Sequence, residues 1–353
     1  MIRKNLEVWP LFVMAALGSA LAVLAGLPMP YLLGSLAGSA VCVALIERVP
    51  GRIAPKPNKW FRFSFVAIIG VMIGASFNPD LLSVLPAFWL SVLAVVVFIV
   101  VAHFGGYQIM RRLGGFRPID AFYAAMPGGL VESTILGEKA GADVTVLAIQ
   151  HFIRIILVVT VVPLLFLVFT GELVGSAAGA TFSIAAYHVD DVALIVVLAP
   201  IGMALGRLSR IPASHLMGPL FFSAGLHVSG LIDIAAPPWL LYLAQLVIGV
   251  GLGAQFSGIS RRMLMRGLGT GAMAVSYMLV LSFGFAVGLS RLVPAEVEAL
   301  FLAFAPGGVT EMNLIALSLH LSPVIVAVHH LVRIMATVVI SSAVGRRLWA
   351  GLE

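Results

Sequence analysis

Residues 126–132 read MPGGLVE, and residues 305–311 read APGGVTE, 179 positions further along the chain. The same offset relates HFIRI at 151–155 to HLVRI at 330–334. Both pairs keep their polar and charged residues at fixed places within otherwise apolar surroundings. Matches that share one offset over such a distance indicate an internal duplication.

Two further pairs of similar blocks extend the duplication toward the start of each half. They are GASF at 74–77 with GAQF at 253–256, and PMPYLLGSL at 28–36 with PASHLMGPL at 212–220. Because four blocks recur in the same order, we predict two homologous membrane repeats. The first repeat covers 1–172, a small and polar linker covers 173–187, and the second repeat covers 188–353.

Composition sets the class of protein. Hydrophobic residues make up 61% of the 353 residues and charged residues 10%, whereas an average soluble domain carries about 25% charged residues. A chain this apolar cannot cover its surface with polar groups, and apolar runs long enough to span a bilayer recur along it. The sequence therefore predicts an all-α, polytopic membrane protein and excludes soluble enzymes, nucleic-acid-binding proteins and disordered chains. With one cysteine, Cys42, no internal disulfide can form.

Each repeat contains five apolar runs of roughly spanning length. They lie near 9–26, 31–47, 61–77, 82–104 and 144–169 in the first repeat, and near 191–207, 213–232, 239–256, 269–290 and 322–344 in the second. The first run follows basic residues as in a signal peptide, but we expect an uncleaved span because the duplication requires it. Each repeat also has a less regular segment, 118–140 or 297–319, where Pro-Gly-Gly should break the helix.

Lysine and arginine indicate whether these irregular segments cross the membrane, because cytoplasmic loops carry an excess of both. If the segments cross, the repeats are parallel, and 13 of these residues lie inside against six outside. If they return to the side they enter, the second repeat is inverted, and 18 lie inside with only Arg291 outside. We therefore predict ten transmembrane helices as two inverted five-helix repeats, each with a broken or re-entrant segment, and cytoplasmic termini.

Inverted repeats with discontinuous helices at their centre are typical of secondary transporters. A helix that begins after a break directs free N–H groups and a positive dipole end toward an anion. The candidate substrate-binding residues at the breaks are Pro127, Gly128, Gly129, Pro306, Gly307 and Gly308. The alternative is that each Pro-Gly-Gly only makes a tight turn in a buried loop.

Glu132 and Glu311 follow the two Pro-Gly-Gly sequences at the same distance. A carboxylate at membrane depth costs about 2.5 kcal/mol or more, so it usually has a partner or a function. One interpretation is that these glutamates carry a proton or cation during transport. The other is that each forms a buried salt bridge with an arginine or caps its own half-helix.

His151 and Arg154 lie three residues apart on one predicted helix face, and His330 and Arg333 repeat the pair. Arginine suits a carboxylate or phosphate, and histidine can exchange a proton near neutral pH. All four are candidate substrate-binding residues, unless the arginines pair internally and only stabilise the bundle. Asn313, where the first repeat has Thr134, is a further candidate.

With PGG-x-x-E and H-x-x-R-I in both repeats, the chain resembles the AbrB family of bacterial membrane proteins over nearly its whole length. Members have been associated with regulation of gene expression, and many carry an ammonia monooxygenase label. The family shares its name with a soluble DNA-binding regulator, but no soluble stretch here is long enough for such a domain. The chain also lacks the clustered histidines that a copper monooxygenase site needs.

Three hypotheses about function follow from these patterns. We favour a secondary transporter of a small, anionic organic solute with proton or cation coupling, in the inner membrane of a bacterium. The main alternative is a membrane sensor that influences gene expression indirectly without transport, and a membrane enzyme is the third. The expected partners are the solute and the lipid bilayer, with no nucleic acid, metal or cofactor, and self-association is left open.

Overall fold

The computed structural model describes residues 8–77, 85–171, 188–211, 213–259 and 261–349. Within these ranges every element of regular secondary structure is a helix, and there is no strand. The prediction of an all-α protein is therefore confirmed. The predicted linker at 173–187 and both chain termini lie outside the described residues.

The described part of the first repeat contains seven α-helices. They are α1 (Trp9–Leu24), α2 (Pro30–Ile46), α3 (Lys59–Gly74), α4 (Trp89–Gln108), α5 (Pro118–Ala124), α6 (Leu130–Lys139) and α7 (Val144–Thr170). A short 3-10 helix, Leu85–Phe88, precedes α4, and a π-helical turn, Ile109–Leu113, follows it.

The described part of the second repeat contains another seven. They are α8 (Val189–Leu208), α9 (Ser214–Val228), α10 (Pro238–Gly253), α11 (Arg261–Leu289), α12 (Val297–Phe304), α13 (Val309–Ser318) and α14 (Pro323–Trp349). In both repeats, the segment predicted to be irregular forms two short helices with a gap between them.

Six helices of the described chain are long and apolar enough to cross a membrane. They run over Trp89–Leu113, Val144–Phe169, Val189–Leu208, Pro238–Phe256, Met263–Leu289 and Pro323–Gly345. Large apolar side chains such as Leu21, Phe104 and Val280 are more than half exposed, which suits contact with lipid. The fold is therefore that of a helical membrane protein. The count of ten spans stays a prediction, because α1, α2, α3 and α9 are shorter.

The helices group into two compact units that interleave along the chain. Unit 1 consists of Met1–Ser83, Thr160–Ile259 and Asn313–Val324, and unit 2 consists of Val84–Val159, Ser260–Met312 and Ile325–Glu353. Unit 1 therefore takes the first three helices of each repeat, and unit 2 takes the first broken segment and the second as far as Met312. The division into two sequence repeats is a different partition, and it stays a prediction.

In unit 1, helix α3 packs closely against α9 through two glycines. A Cβ atom on Gly70 would lie 2.5 Å from the carbonyl oxygen of Leu216, and one on Gly74 would lie 2.5 Å from that of Leu220. Glycines spaced four apart let membrane helices approach until their backbones touch. Since both contacts advance together along the chain, α3 and α9 run in the same direction.

Helix α10 packs against α2 in the same manner. A Cβ atom on Gly249 would lie 2.6 Å from the carbonyl oxygen of Leu32, and one on Gly253 would lie 2.5 Å from that of Leu36. These helices also run in the same direction. In each pair, the third helix of one repeat is parallel to the second helix of the other, as inverted repeats require. Parallel repeats would make both pairs antiparallel, so the packing favours inversion.

A network around Glu47 joins the loop after α2 to the loop after α10. The Glu47 carboxylate accepts hydrogen bonds from the backbone N–H groups of Ala54 (3.1 Å) and Gly258 (3.0 Å). The Ser257 hydroxyl donates to the carbonyl oxygen of Ala54 at 2.7 Å. The two loops therefore lie on the same side of unit 1, in agreement with the inverted topology.

In unit 2, the first broken segment returns to the level at which it starts. Asp120, in the first turn of α5, is bound bidentately by Arg117 at 2.6 and 2.8 Å. The same carboxylate accepts a hydrogen bond from the N–H of Asp143 (2.8 Å), just before α7. This contact ties the entry of the segment to its exit, as expected for a re-entrant hairpin.

The topology predicts which introduced cysteines remain hidden from outside the cell. With Cys42 replaced, cysteine at Lys56 or at Arg262 should resist a membrane-impermeant thiol reagent in intact cells, because both loops are expected in the cytoplasm. Cysteine at Arg291 should react and serves as the positive control. Labelling at position 262 but not at 56 would instead require parallel repeats.

Candidate functional site

Both Pro-Gly-Gly sequences interrupt a helix in unit 2. The first break, residues 125–129, separates α5 from α6, and the second break, residues 305–308, separates α12 from α13. Gly129 adopts a left-handed conformation (φ 66°) immediately before α6, which glycine tolerates without steric cost. The predicted helix breaks are thus present, and each leaves carbonyl groups at the end of a short helix without intrahelical partners.

Arg333 binds the carbonyl groups that the second break leaves free. Its side chain is 2% exposed. Nη1 donates to the carbonyl oxygens of Phe304 (3.1 Å) and Ala305, and Nη2 donates to that of Gly307 (3.1 Å). A cation at this position also favours the negative end of the α12 dipole. Arg333 therefore acts as the C-terminal cap of α12 and as a clamp on the break.

His330 orients Arg333. Its Nε2 lies 3.0 Å from the carbonyl oxygen of Leu302, and its Nδ1 lies 3.1 Å from Nη2 of Arg333. A guanidinium can only donate, so Nδ1 accepts and Nε2 carries the proton. Both ring nitrogens are used and the imidazole is neutral in this arrangement. A second proton on the ring would face the N–H of Arg333.

Arg154 occupies the corresponding place at the first break but makes far fewer contacts. Its side chain is 8% exposed, and Nη1 donates to the carbonyl oxygen of Met126. Among the described residues this is its one hydrogen bond, and its Nε is buried without a partner. A guanidinium has five N–H donors. Arg154 therefore keeps most of its hydrogen-bonding capacity.

His151 also differs from its counterpart. Its Nε2 lies 2.9 Å from the Ser133 hydroxyl, which lies 2.7 Å from the carbonyl oxygen of Gly129. If the hydroxyl donates its single proton to that carbonyl, Nε2–H of the histidine donates to the hydroxyl. The carbonyl of Tyr123, which corresponds to Leu302, also lies beside the ring. Nδ1 is buried without a hydrogen-bond partner.

The two glutamates fold back over their own breaks. A Cβ atom on Gly129 would lie 3.0 Å from Oε2 of Glu132, and one on Gly308 would overlap Oε2 of Glu311. This is where a glutamate at the third position of a helix caps the helix start. Within the described part of the chain, neither arginine has a carboxylate partner. The salt-bridge alternative therefore has no support among the described residues.

The first break lies directly against α14. A Cβ atom on Gly128 would lie 3.3 Å from Oγ1 of Thr337 and 3.4 Å from the carbonyl oxygen of Arg333. Arg154 is also close enough to Arg333 for their positive charges to interact. The candidate residues of both breaks, except Asn313, thus belong to one polar region of unit 2. Asn313 is fully buried and belongs to unit 1.

Sequence reasoning missed several polar groups of this region. Thr337 and Ser341 are fully buried on α14, and their hydroxyls have no hydrogen-bond partner. They follow Arg333 at intervals of four, so a polar stripe on one helix face was visible in the sequence. Comparison of the two repeats does not reveal this stripe, because the first repeat has Val158 and Val162 at the positions of Thr337 and Ser341.

The capping role of Arg333 predicts a stability effect. Replacing Arg333 by lysine should lower the free energy of unfolding by about 2 kcal/mol or more, because one ammonium cannot satisfy carbonyls on both sides of the break. The measurement is the melting temperature of the purified protein in detergent. Arg347→Lys, at an exposed position of the same helix, is the matched control. Equal melting temperatures of the two variants would contradict the capping role.

Comparison with known proteins assigns the chain to a family. The family model described as "Transition state regulatory protein AbrB" matches residues 36–349. A Bacillus subtilis (strain 168) protein named "Uncharacterized protein YhjN" is 27% identical over 94% of this chain and 90% of its own length. An Escherichia coli (strain K12) protein named "Putative regulator AbrB" is 23% identical over 79% of this chain and 80% of its own length. The match over most of its residues shows that the chain belongs to the AbrB family of helical membrane proteins.

Proposed function

We propose that this protein is a secondary transporter of a small, anionic organic solute, and that the solute binds in unit 2 between the two breaks. The observation that carries the proposal is a pair of buried arginines, Arg154 and Arg333, whose hydrogen-bond partners in the described chain include no carboxylate. Their interaction with each other is repulsive. A bound anion would supply the negative partner that neither arginine has among the described residues.

The energetics favour an anion over a neutral solute. Taking a cation out of water costs several kcal/mol in a protein interior, and backbone carbonyls offset only part of that cost. Helix α6 begins directly after the first break, and α13 begins directly after the second. Helix starts of this kind direct N–H groups and partial positive charge at a bound anion. The two arginines are therefore the main sources of positive potential here, since Glu132 and Glu311 lie over the two helix starts.

Transport is preferred over simple binding because of the architecture. Re-entrant, broken helices in an inverted pair of repeats allow one site to open alternately to either side. In this proposal the protein resides in the inner membrane of a bacterium with both termini in the cytoplasm. It acts on the solute without chemical conversion and needs no metal or cofactor. Both relatives named above come from bacteria.

A sensor that binds the solute without moving it is the second candidate. It is favoured by one observation, the name "Putative regulator AbrB" of the Escherichia coli relative. A transporter and a sensor share the same binding site but differ in flux. A flux assay therefore separates them.

Proteoliposomes that contain the purified chain should exchange a small acid in a counterflow assay. The panel is radiolabelled lactate, acetate and succinate, with glycerol as the neutral comparison. We expect uptake of at least one acid above that of empty liposomes and no uptake of glycerol, because the buried arginines require an anion. If an acid raises the melting temperature of the protein but none is exchanged, the sensor is the better description.

Glu311 is the preferred coupling residue. It is 9% exposed, and its carboxylate folds over the second break. A buried carboxyl that is ionised in one state and neutral in another can carry a proton across the membrane. The start of α13 favours the ionised form, and separation from that helix start would favour the neutral form.

We therefore predict that Glu311→Gln abolishes accumulation of the exchanged acid under an imposed pH gradient while counterflow continues. Glutamine keeps the shape of the neutral side chain but cannot titrate. Glu132→Gln is the matched variant at the first break, with a smaller expected effect. Undiminished gradient-driven uptake in both single variants and in the double variant would assign coupling to the histidines or to sodium.

A further inference from the structure

The two repeat-related arginines have unequal numbers of partners, and this inequality specifies the ligand more closely. We propose that Arg154 and His151 bind a small carboxylate that carries a hydroxyl group on the adjacent carbon, whereas Arg333 holds the second break and contributes its positive charge without contacting the ligand. The inference rests on the proposed function in placing the ligand between the breaks. It adds the chemical class of the ligand and the residues that select it.

Arg154 has more donors left for a ligand than Arg333, although the Nε of each is buried without a partner. Arg333 contacts three carbonyl oxygens and the ring of His330. Arg154 contacts one carbonyl oxygen, yet it is more than nine-tenths buried. Its Nε is unpartnered inside the protein. A planar guanidinium with free N–H groups on one side matches the two oxygens of a carboxylate.

His151 supplies the complementary acceptor. With Nε2–H directed at Ser133, the unpartnered Nδ1 can accept a hydrogen bond. A carboxylate oxygen has no proton to give, so this nitrogen requires a ligand group that donates. A hydroxyl is a small neutral group that does so. At the second break Met312 occupies the position of Ser133, and His330 has no free nitrogen.

The spacing favours a compact ligand. His151 and Arg154 lie three residues apart on α7 and therefore share one helix face. A hydroxyl on the carbon next to the carboxylate places the donor and the anion within one small molecule. Lactate and glycolate have this pattern. Propionate and acetate are the same molecules without the hydroxyl.

A site with a buried polar group discriminates strongly against an analogue that leaves the group unpaired. We expect the full-length protein in detergent to bind L-lactate at least about tenfold more tightly than propionate, with the same order for glycolate and acetate. Isothermal titration calorimetry measures the four dissociation constants. The melting temperature with each acid provides an independent reading of binding.

The same substitution, arginine to lysine, at positions 154 and 333 tests whether one arginine binds the ligand and the other holds the break. Arg154→Lys should weaken lactate binding at least about tenfold while changing the melting temperature little, because the fork is lost but few contacts are. Arg333→Lys should lower the melting temperature and weaken lactate binding less than Arg154→Lys does, because lysine keeps the positive charge. Ser133→Ala tests the histidine without touching either arginine. It should reduce the preference for lactate over propionate and leave propionate binding unchanged.

The outcomes separate this inference from the proposed function. Equal affinity for lactate and propionate, or lactate binding that survives Arg154→Lys but not Arg333→Lys, would overturn the inference and leave an anion transporter in place. Absence of binding and of exchange for every acid tested would overturn the proposed function and this inference with it. If Arg154→Lys fails to fold, the preference measured in Ser133→Ala decides.

Discussion

The architecture of unit 2 depends on one requirement: every carbonyl group released by a helix break inside a membrane needs a donor. Water is absent there, and an unsatisfied carbonyl costs several kcal/mol. In this chain the donors at both breaks are buried arginines, with Met126 bound by Arg154 and Ala305 bound by Arg333. The breaks and the arginines therefore form a single structural feature.

Unit 1 meets the same requirement without arginine donors, because it contains neither Pro-Gly-Gly break. Its helices are unbroken, and they approach one another through glycines such as Gly74 and Gly253 until the backbones touch. Packing of this kind leaves no room for a methyl group and resists sliding. Polar side chains in unit 1 mostly satisfy nearby carbonyls, as the Ser35 hydroxyl does with Tyr31. Both helix breaks and both buried arginines are thus in unit 2, where the candidate site lies.

The duplication made much of this predictable from the sequence. It identified both breaks, the arginines and histidines that serve them, and the topology that agrees with the contact between the Glu47 and Gly258 loops. It could not identify hydrogen-bond partners, because arginine is equally suited to a carboxylate and to a carbonyl. It also could not find features present in one repeat only. Thr337 has no counterpart in the first repeat, and the hydrogen bond from the N–H of Asp143 to the Asp120 carboxylate has none in the second. Comparison of the two repeats therefore does not reveal them.

Duplication also explains why the two arginines differ. A guanidinium has five donors, and each donor used to close a break is lost to a ligand. Arg333 uses both terminal nitrogens at the second break and against His330, so only its Nε is left without a partner. Arg154 spends one on Met126, so the first break is held less tightly and its fork remains available. One residue cannot do both tasks at full strength. A duplicated pair can divide them, and the exchange of Ser133 for Met312 beside the paired histidines is the local change that accompanies the division.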